Sequence, residues 1–231
     1  MLTYDTLSLI LKKCEVTVCH FFLGGRRMPR QTFYNLPVEK KEVLVEAGEK
    51  EFSRVPLFEA SIANIVKEAG IPRGSFYQYF DDKEDLYFYI LKQYAAEKRI
   101  QLITLLEKHD GNIFEAISDL YIAILNRTED DVSRQFFQNV FLHLDFETER
   151  AFLSNMNHSV ISEQYMEIRK LINTSELNIE NDKELFHIVQ IMLSMMVQNI
   201  VRKFAVNLTR EEVVMNFSTQ IQLLKKGFKR N

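Results

Sequence analysis

The chain is poor in residues that punctuate or staple a fold. Its 231 residues include seven glycines and four prolines. An architecture of short β-strands would need turns built on these residues every 8 to 12 positions, and this sequence cannot supply them. Cysteine is scarcer still. Cys14 and Cys19 are the only two, both within the first 27 residues, so the body of the chain carries no disulfide framework and no thiolate metal site. A reducing, cytoplasmic setting is expected. No charge-free apolar run reaches the roughly 18 residues that would cross a bilayer, so no membrane partner is expected. The formal net charge of −3 offers no global attraction to a polyanion, and any nucleic-acid contact must be local. No nucleophile-base motif, phosphate loop or metal-ligand spacing is present, so neither catalysis nor a metal or organic cofactor is expected.

What remains is abundant apolar material: 46% hydrophobic residues, with 18 Phe and eight Met. Such a chain can bury a full core, and with so few breakers it reads as all-α.

Residues 1–27, MLTYDTLSLILKKCEVTVCHFFLGGRR, are apolar and partly β-branched. Lys12, Lys13 and Glu15 split the apolar run and no small-residue cleavage site follows, so a secretory signal is not expected. Met28 opens MPRQTFYNLP, which reads as a natural chain start. The expectation is that residues 1–27 are a poorly anchored extension that need not be native.

From residue 39 the periodicity is regular. Val43, Leu44, Ala47 and Phe52 form an apolar stripe on a helix that should end near Val55-Pro56. A second helix should begin at Ser61 as N-cap, carry Ile62, Ile65, Val66 and Ala69 on one face, and stop at Gly70, where the left-handed conformation costs least. Ile71-Pro72 then turns the chain into RGSFYQYF, with four rings in five positions. At 100° per residue, Phe76, Tyr79 and Phe80 share an arc, while Gly74, Tyr77 and Gln78 lie opposite. One side packs and the other faces out. Three helices with a tight turn between the last two form a helix-turn-helix, whose final helix enters the DNA major groove. Asp82 should cap the next helix, from Lys83 to about Lys108.

Residues 61–86, SIANIVKEAGIPRGSFYQYFDDKEDL, resemble the DNA-binding signature of the tetracycline-repressor (TetR/AcrR) family of bacterial regulators. The resemblance rests on Ala69-Gly70, Gly74, Ser75, Tyr77, Phe80, Lys83-Glu84 and Leu86, and its detailed part covers about 60 residues. The start MPRQTFYNLP is similar to that of Gram-positive members. The resemblance implies a helix-turn-helix domain over 28–86 and a helical ligand-binding and dimerisation domain over 87–231. It also implies that Ser75, Tyr77 and Tyr79 bond phosphates or base edges and that Lys83 sits beside a phosphate. Ser61 joins this candidate set. Gly74 would admit the groove wall, Arg73 could read guanine and Gln78 adenine. Two features depart from the pattern. Residues 28–86 hold eight Lys or Arg against eleven Asp or Glu, leaving phosphate attraction to Arg73, Lys83 and the arm of Arg26, Arg27 and Arg30. Pro72 stands where the family often has a capping Ser, a place Pro tolerates.

The second half reads as further helices. Asn112 and Glu115, and again Thr209 and Glu212, have capping-box spacing, Thr128 should open another helix, and 174–183 reads as a polar loop. From Leu185 to Val206 nearly every side is apolar, and a helix of that kind must be buried. The expected host is a homodimer through the last two helices, which would pair two reading heads with a palindromic operator. For a small apolar or amphipathic effector, Tyr121, Phe137, Phe141, His143, Tyr165, Met192 and Met196 are the candidate lining, with Phe114, Phe136 and Met195 near them. His143, Asp145, Glu147 and Glu149 do not share a helix face, so they are not read as a metal site. The function expected is a ligand-responsive DNA-binding repressor. The alternative is a helical small-molecule-binding protein without DNA-binding activity.

Overall fold

The computed structural model describes residues 29–127, 131–143, 163–175 and 177–228. Cys14, Cys19, Arg26, Arg27, Met28, Thr128, Asp145, Glu147 and Glu149 lie outside them. The described residues contain ten α-helices: α1 Gln31–Tyr34, α2 Val38–Arg54, α3 Ile62–Glu68, α4 Arg73–Tyr79, α5 Lys83–Lys108, α6 Ile113–Arg127, α7 Asp131–Leu142, α8 Glu163–Leu171, α9 Asp182–Ala205 and α10 Arg210–Phe228. A 3₁₀ turn, Leu57–Glu59, joins α2 to α3. Two compact units divide between Lys92 and Gln93, inside α5.

In the first unit α2 buries Leu44, Ala47 and Phe52, as the stripe requires, and ends before Pro56. Val43 departs from expectation. It lies one residue, or 100°, off the Leu44–Ala47–Gly48–Glu51 line and is 47% exposed. Gly48 sits on that line at a close approach: a Cβ there would lie 2.8 Å from Leu86 Cδ2 and 3.1 Å from Ile90 Cδ1, so those side-chain ends would have to shift. α3 ends as expected, with Gly70 at φ +65° and the Ile71 N–H donating to the Val66 carbonyl at 3.0 Å. At the start of α5, the Asp85 N–H donates to Asp82 Oδ1 at 2.9 Å, which makes Asp82 the cap.

The second unit is a bundle around Leu106, Ile117, Tyr121, Leu185, Met192 and Phe217. Asn112 Oδ1 accepts from the N–H groups of Phe114 and Glu115, while Thr209 and Glu212 form a reciprocal capping box at 3.2 and 2.8 Å. The stretch expected as a loop as far as 183 enters α9 at Asp182, and the Asn181 side chain caps that helix by accepting from the Lys183 and Glu184 N–H groups. α9 is long and apolar enough by composition to cross a membrane, yet its apolar residues pack against α6, α7 and α10 in the manner of a core helix. Within one chain its burial is one-sided. One side, with Leu185, Ile188, Met192 and Ile200, is buried, while Ile191 on the other is 43% exposed. The polar break at Asn199 also proves to be interior: its amide donates to the Met195 carbonyl at 2.8 Å and to Gln220 Oε1 at 2.6 Å.

Candidate nucleic-acid interface

α4 has seven residues, too few to be stable by its own hydrogen bonds, so its surroundings hold it. Phe76 and Phe80 are completely buried, with ring centroids 5.3 Å apart. Phe80 reaches the core from extended backbone beyond the helix end, where the helical arc no longer applies. The start of α4 is closed without a side-chain cap: the Pro72 carbonyl accepts the Ser75 N–H at 2.9 Å.

Opposite the buried rings lies a polar face. Arg73, Gly74, Tyr77 and Gln78 are exposed and Ser75 is half-buried. Arg73 leans on Tyr77, its guanidinium carbon 5.9 Å from the ring centroid and one nitrogen 3.3 Å from the phenol oxygen. A Cβ on Gly74 would meet nothing within 4 Å, so this face is open. Tyr79 is half-buried, its ring 6.4 Å from Phe33.

Ser61 departs from its expected capping role, and Lys83 has partners within the protein. Ser61 occupies the N-cap position of α3, but its hydroxyl makes no cap bond. Glu51, only 5% exposed, supplies that function from α2 by accepting the Ser61 N–H at 2.8 Å and the Asn64 amide at 3.1 Å. Burial alone would raise the Glu51 pKa. Hydrogen bonds from Arg54, Ser61 and Asn64 outweigh it and hold the carboxyl below the usual value. Lys83 donates to the carbonyls of Phe58 and Ala60 at 3.0 and 2.9 Å, so its ammonium braces the connection between α2 and α3. Glu51 carried no sequence signal beyond a carboxylate on an apolar stripe.

The candidate ligand residues are dispersed within the second unit. Tyr121 is a core ring: it is fully buried, its centroid lies 4.1 Å from that of Phe217, and its hydroxyl donates to the Val213 carbonyl at 3.4 Å. Desolvation pushes its pKa up to about 12. Phe137 and Phe141, both half-buried, belong to an aromatic run with the buried Tyr94 and Phe136 and the half-buried Phe204, at centroid spacings of 5.0 to 6.4 Å. His143 lies exposed just past α7, Tyr165 meets Phe186 at 5.1 Å, and Met192 and Met196 face the core. A separate cavity of about 160 Å³ is lined by His109, Asn112, Phe114, Asn173, Leu177 and Lys225, none of them among the seven. No cluster of metal-ligating side chains occurs among the described residues.

The fold and the α4 surface together define a helix-turn-helix protein with a helical second unit. Residues 44–90 match the family model described as bacterial regulatory proteins, tetR family, and residues 112–228 that of the tetracyclin repressor-like C-terminal domain. The chain belongs to the TetR family of bacterial regulatory proteins. It is 24% identical over 137 residues to the HTH-type transcriptional regulator AcrR of Shigella flexneri, covering 58% of this chain and 63% of that protein. It is 29% identical over 89 residues to the HTH-type transcriptional repressor NemR of Escherichia coli, covering 38% and 45%. The chain thus spans less than two thirds of the length of these curated relatives. Among solved structures, SmeT, the repressor of the Stenotrophomonas maltophilia multidrug efflux pump SmeDEF, shares the fold at a TM-score of 0.59 with 13% identity, covering 82% of this chain and 90% of that one. NalD, the secondary repressor of the MexAB-OprM pump in Pseudomonas aeruginosa, does so at 0.58 with 15% identity, covering 84% and 98%.

Proposed function

We propose that this protein is a ligand-responsive transcriptional repressor that acts in the cytoplasm and binds a palindromic DNA operator as a homodimer. The observation that carries the reading is the division of α4 into a sealed side, Phe76 and Phe80, and an open side, Arg73, Gly74, Ser75, Tyr77 and Gln78. In a major groove, Arg73 would pair with guanine O6 and N7, Gln78 with adenine N6 and N7, and Ser75 and Tyr77 with phosphate oxygens. Tyr79 and Ser61 would flank the backbone. Lys83 would contribute by fixing the connection that precedes α3. Residues 28–86 would form the reading domain and 87–231 the sensing and pairing domain, with 1–27 an extension outside both.

Support for pairing through α9 and α10 comes from their uncovered apolar groups: Ile191, Met215 and Leu223 are 43%, 64% and 63% exposed. A two-fold dimer would set the reading helices about 34–36 Å apart, one helical turn of DNA. The half-buried rings of Phe137, Phe141 and Phe204 favour an apolar or amphipathic effector. Such an effector would act by binding more tightly to a conformation with lower operator affinity.

The test is enrichment of duplexes from a random pool followed by a mobility shift at low salt. A two-fold symmetric consensus, with binding lost in Tyr77→Ala, is expected. If no duplex is retained, the helical small-molecule-binding protein without DNA-binding activity becomes the better description.

A further inference from the structure

Two carbonyls at the end of α4, those of Gln78 and Tyr79, are satisfied from outside the helix-turn-helix. A seven-residue helix leaves its last carbonyl groups without intrahelical partners. The Phe76 carbonyl is met by the Phe80 N–H at 2.9 Å, because the chain turns there. The next acceptors are met by the segment that precedes α2. The Arg30 N–H donates to the Tyr79 carbonyl at 2.7 Å, and the Thr32 hydroxyl donates to the Gln78 carbonyl. Between these two donors and α2, Phe33 on α1 is completely buried, with its ring centroid 4.9 Å from those of both Phe80 and Tyr89. Arg30 Nε closes the outer edge on Asp81 at 2.9 Å.

We propose that residues 29–36 are a working part of the DNA-reading head: an arm of the same chain that caps the C-terminus of the recognition helix and fixes its rotation and depth in the groove. The proposal rests on the DNA-binding reading of α4 given above. The family model for the reading domain begins at residue 44 and leaves the arm out. Physically the arm cannot be neutral to reading. Gln78 presents its side chain to solvent while its carbonyl is held by Thr32, so the residue placed to read a base is anchored by the arm. Phe33 wedges the same end of the helix against α5, which prevents the short helix from rocking about Phe76. The Arg30–Asp81 pair is solvent-exposed and worth little by itself, which assigns the positioning to the backbone N–H, the Thr32 hydroxyl and the Phe33 ring.

Thr32→Val removes the hydroxyl at nearly constant volume on an exposed residue, and Thr32→Ser keeps it. Arg30→Pro removes the N–H at a backbone φ of −67°, which proline adopts without strain, and Arg30→Ala controls for the lost side chain. Each full-length variant is titrated against the duplex enriched by the wild-type chain and against a random duplex, alongside thermal unfolding. Loss of one hydrogen bond at a positioning site predicts specific affinity about 5- to 10-fold weaker for Thr32→Val and Arg30→Pro. For Thr32→Val, affinity for the random duplex and the unfolding temperature should stay unchanged, and Thr32→Ser should match wild type. Arg30→Ala should weaken both duplexes equally through its lost phosphate attraction, and Arg30→Pro should bind the enriched duplex, but not the random one, more weakly than Arg30→Ala does. If both affinities fall together with the unfolding temperature, the arm contributes stability alone and the proposal is overturned. If the wild type enriches a duplex that Thr32→Val binds as well as Thr32→Ser and Arg30→Pro as well as Arg30→Ala, the arm proposal fails and the regulator reading stands. If the wild type enriches none, both fail.

Discussion

The carboxylate of Glu51 accepts the backbone N–H of Ser61 at 2.8 Å, so the first turn of α3 is capped by a residue of α2. The bond ties α2 to α3, the helix that packs against α4. It also places an ionisable group, 5% exposed, at the centre of the reading unit. Because the folded-state pKa of Glu51 is depressed, its stabilisation is complete above the ordinary value of 4.5 and is lost as pH falls through the folded value below it. Glu51→Gln should therefore cost about 1–3 kcal/mol at pH 7. In urea unfolding the gap from wild type should close below pH 4.5; an equal gap at pH 7 and pH 3 would exclude the linkage.

Gly48 and Gly74 should respond to substitution with opposite signs. Leu86 and Ile90 are fully buried, so a valine at 48 would force them to repack within the core, and Gly48→Val should destabilise the protein by about 1–3 kcal/mol. Gly74 meets nothing, and Gly74→Ala should raise stability by about 0.5–1 kcal/mol through helix propensity. That same methyl group would stand between α4 and the groove wall. The more stable variant should therefore bind operator more weakly, which a mobility shift paired with thermal unfolding would check.

Lys83 and Arg73 are separable by salt. Lys83 spends its ammonium on two carbonyls, whereas Arg73 is exposed beside Tyr77. Lys83→Ala should lower stability and affinity while leaving the slope of log K against log salt unchanged. Arg73→Ala should lose about 1–3 kcal/mol of discrimination for the guanine it reads and, because the same cation adds to the phosphate attraction of this face, should reduce that slope by up to about 0.9. A reduced slope in Lys83→Ala would show that its ammonium leaves the carbonyls for a phosphate when DNA binds.

Tyr121 should behave as a core residue. Tyr121→Phe removes one hydrogen bond of 3.4 Å and should cost no more than about 1 kcal/mol, with effector affinity unchanged. Tyr121→Ala opens a cavity beside Phe217 and should cost about 3–5 kcal/mol. Calorimetric unfolding separates the two. A large loss of effector affinity in Tyr121→Phe with native stability would restore Tyr121 to the ligand site.

Much of the reading head could be read along the chain, since its signals act over one helical turn. The spacing of Leu44, Ala47 and Phe52 and the left-handed Gly70 are each decided within about four residues of their own position, and so are the Asp82 cap and the opposition of Phe76 to Tyr77. The structure agrees with all of them. The sequence by itself therefore determined an all-helical protein with a short helix that has one sealed face and one open face. Only the tertiary structure decided which partners the long-range polar groups take: Glu51 with Ser61, Lys83 with Phe58 and Ala60, Thr32 with Gln78, Asn199 with Gln220. It also separated Tyr121 from the aromatic run of Phe137 and Phe141. The physical reason is range. Helical periodicity records which side of an element avoids water, but the choice of carbonyl, carboxylate or ring that meets it depends on how distant segments pack, and one stripe of apolar residues fits many such partners.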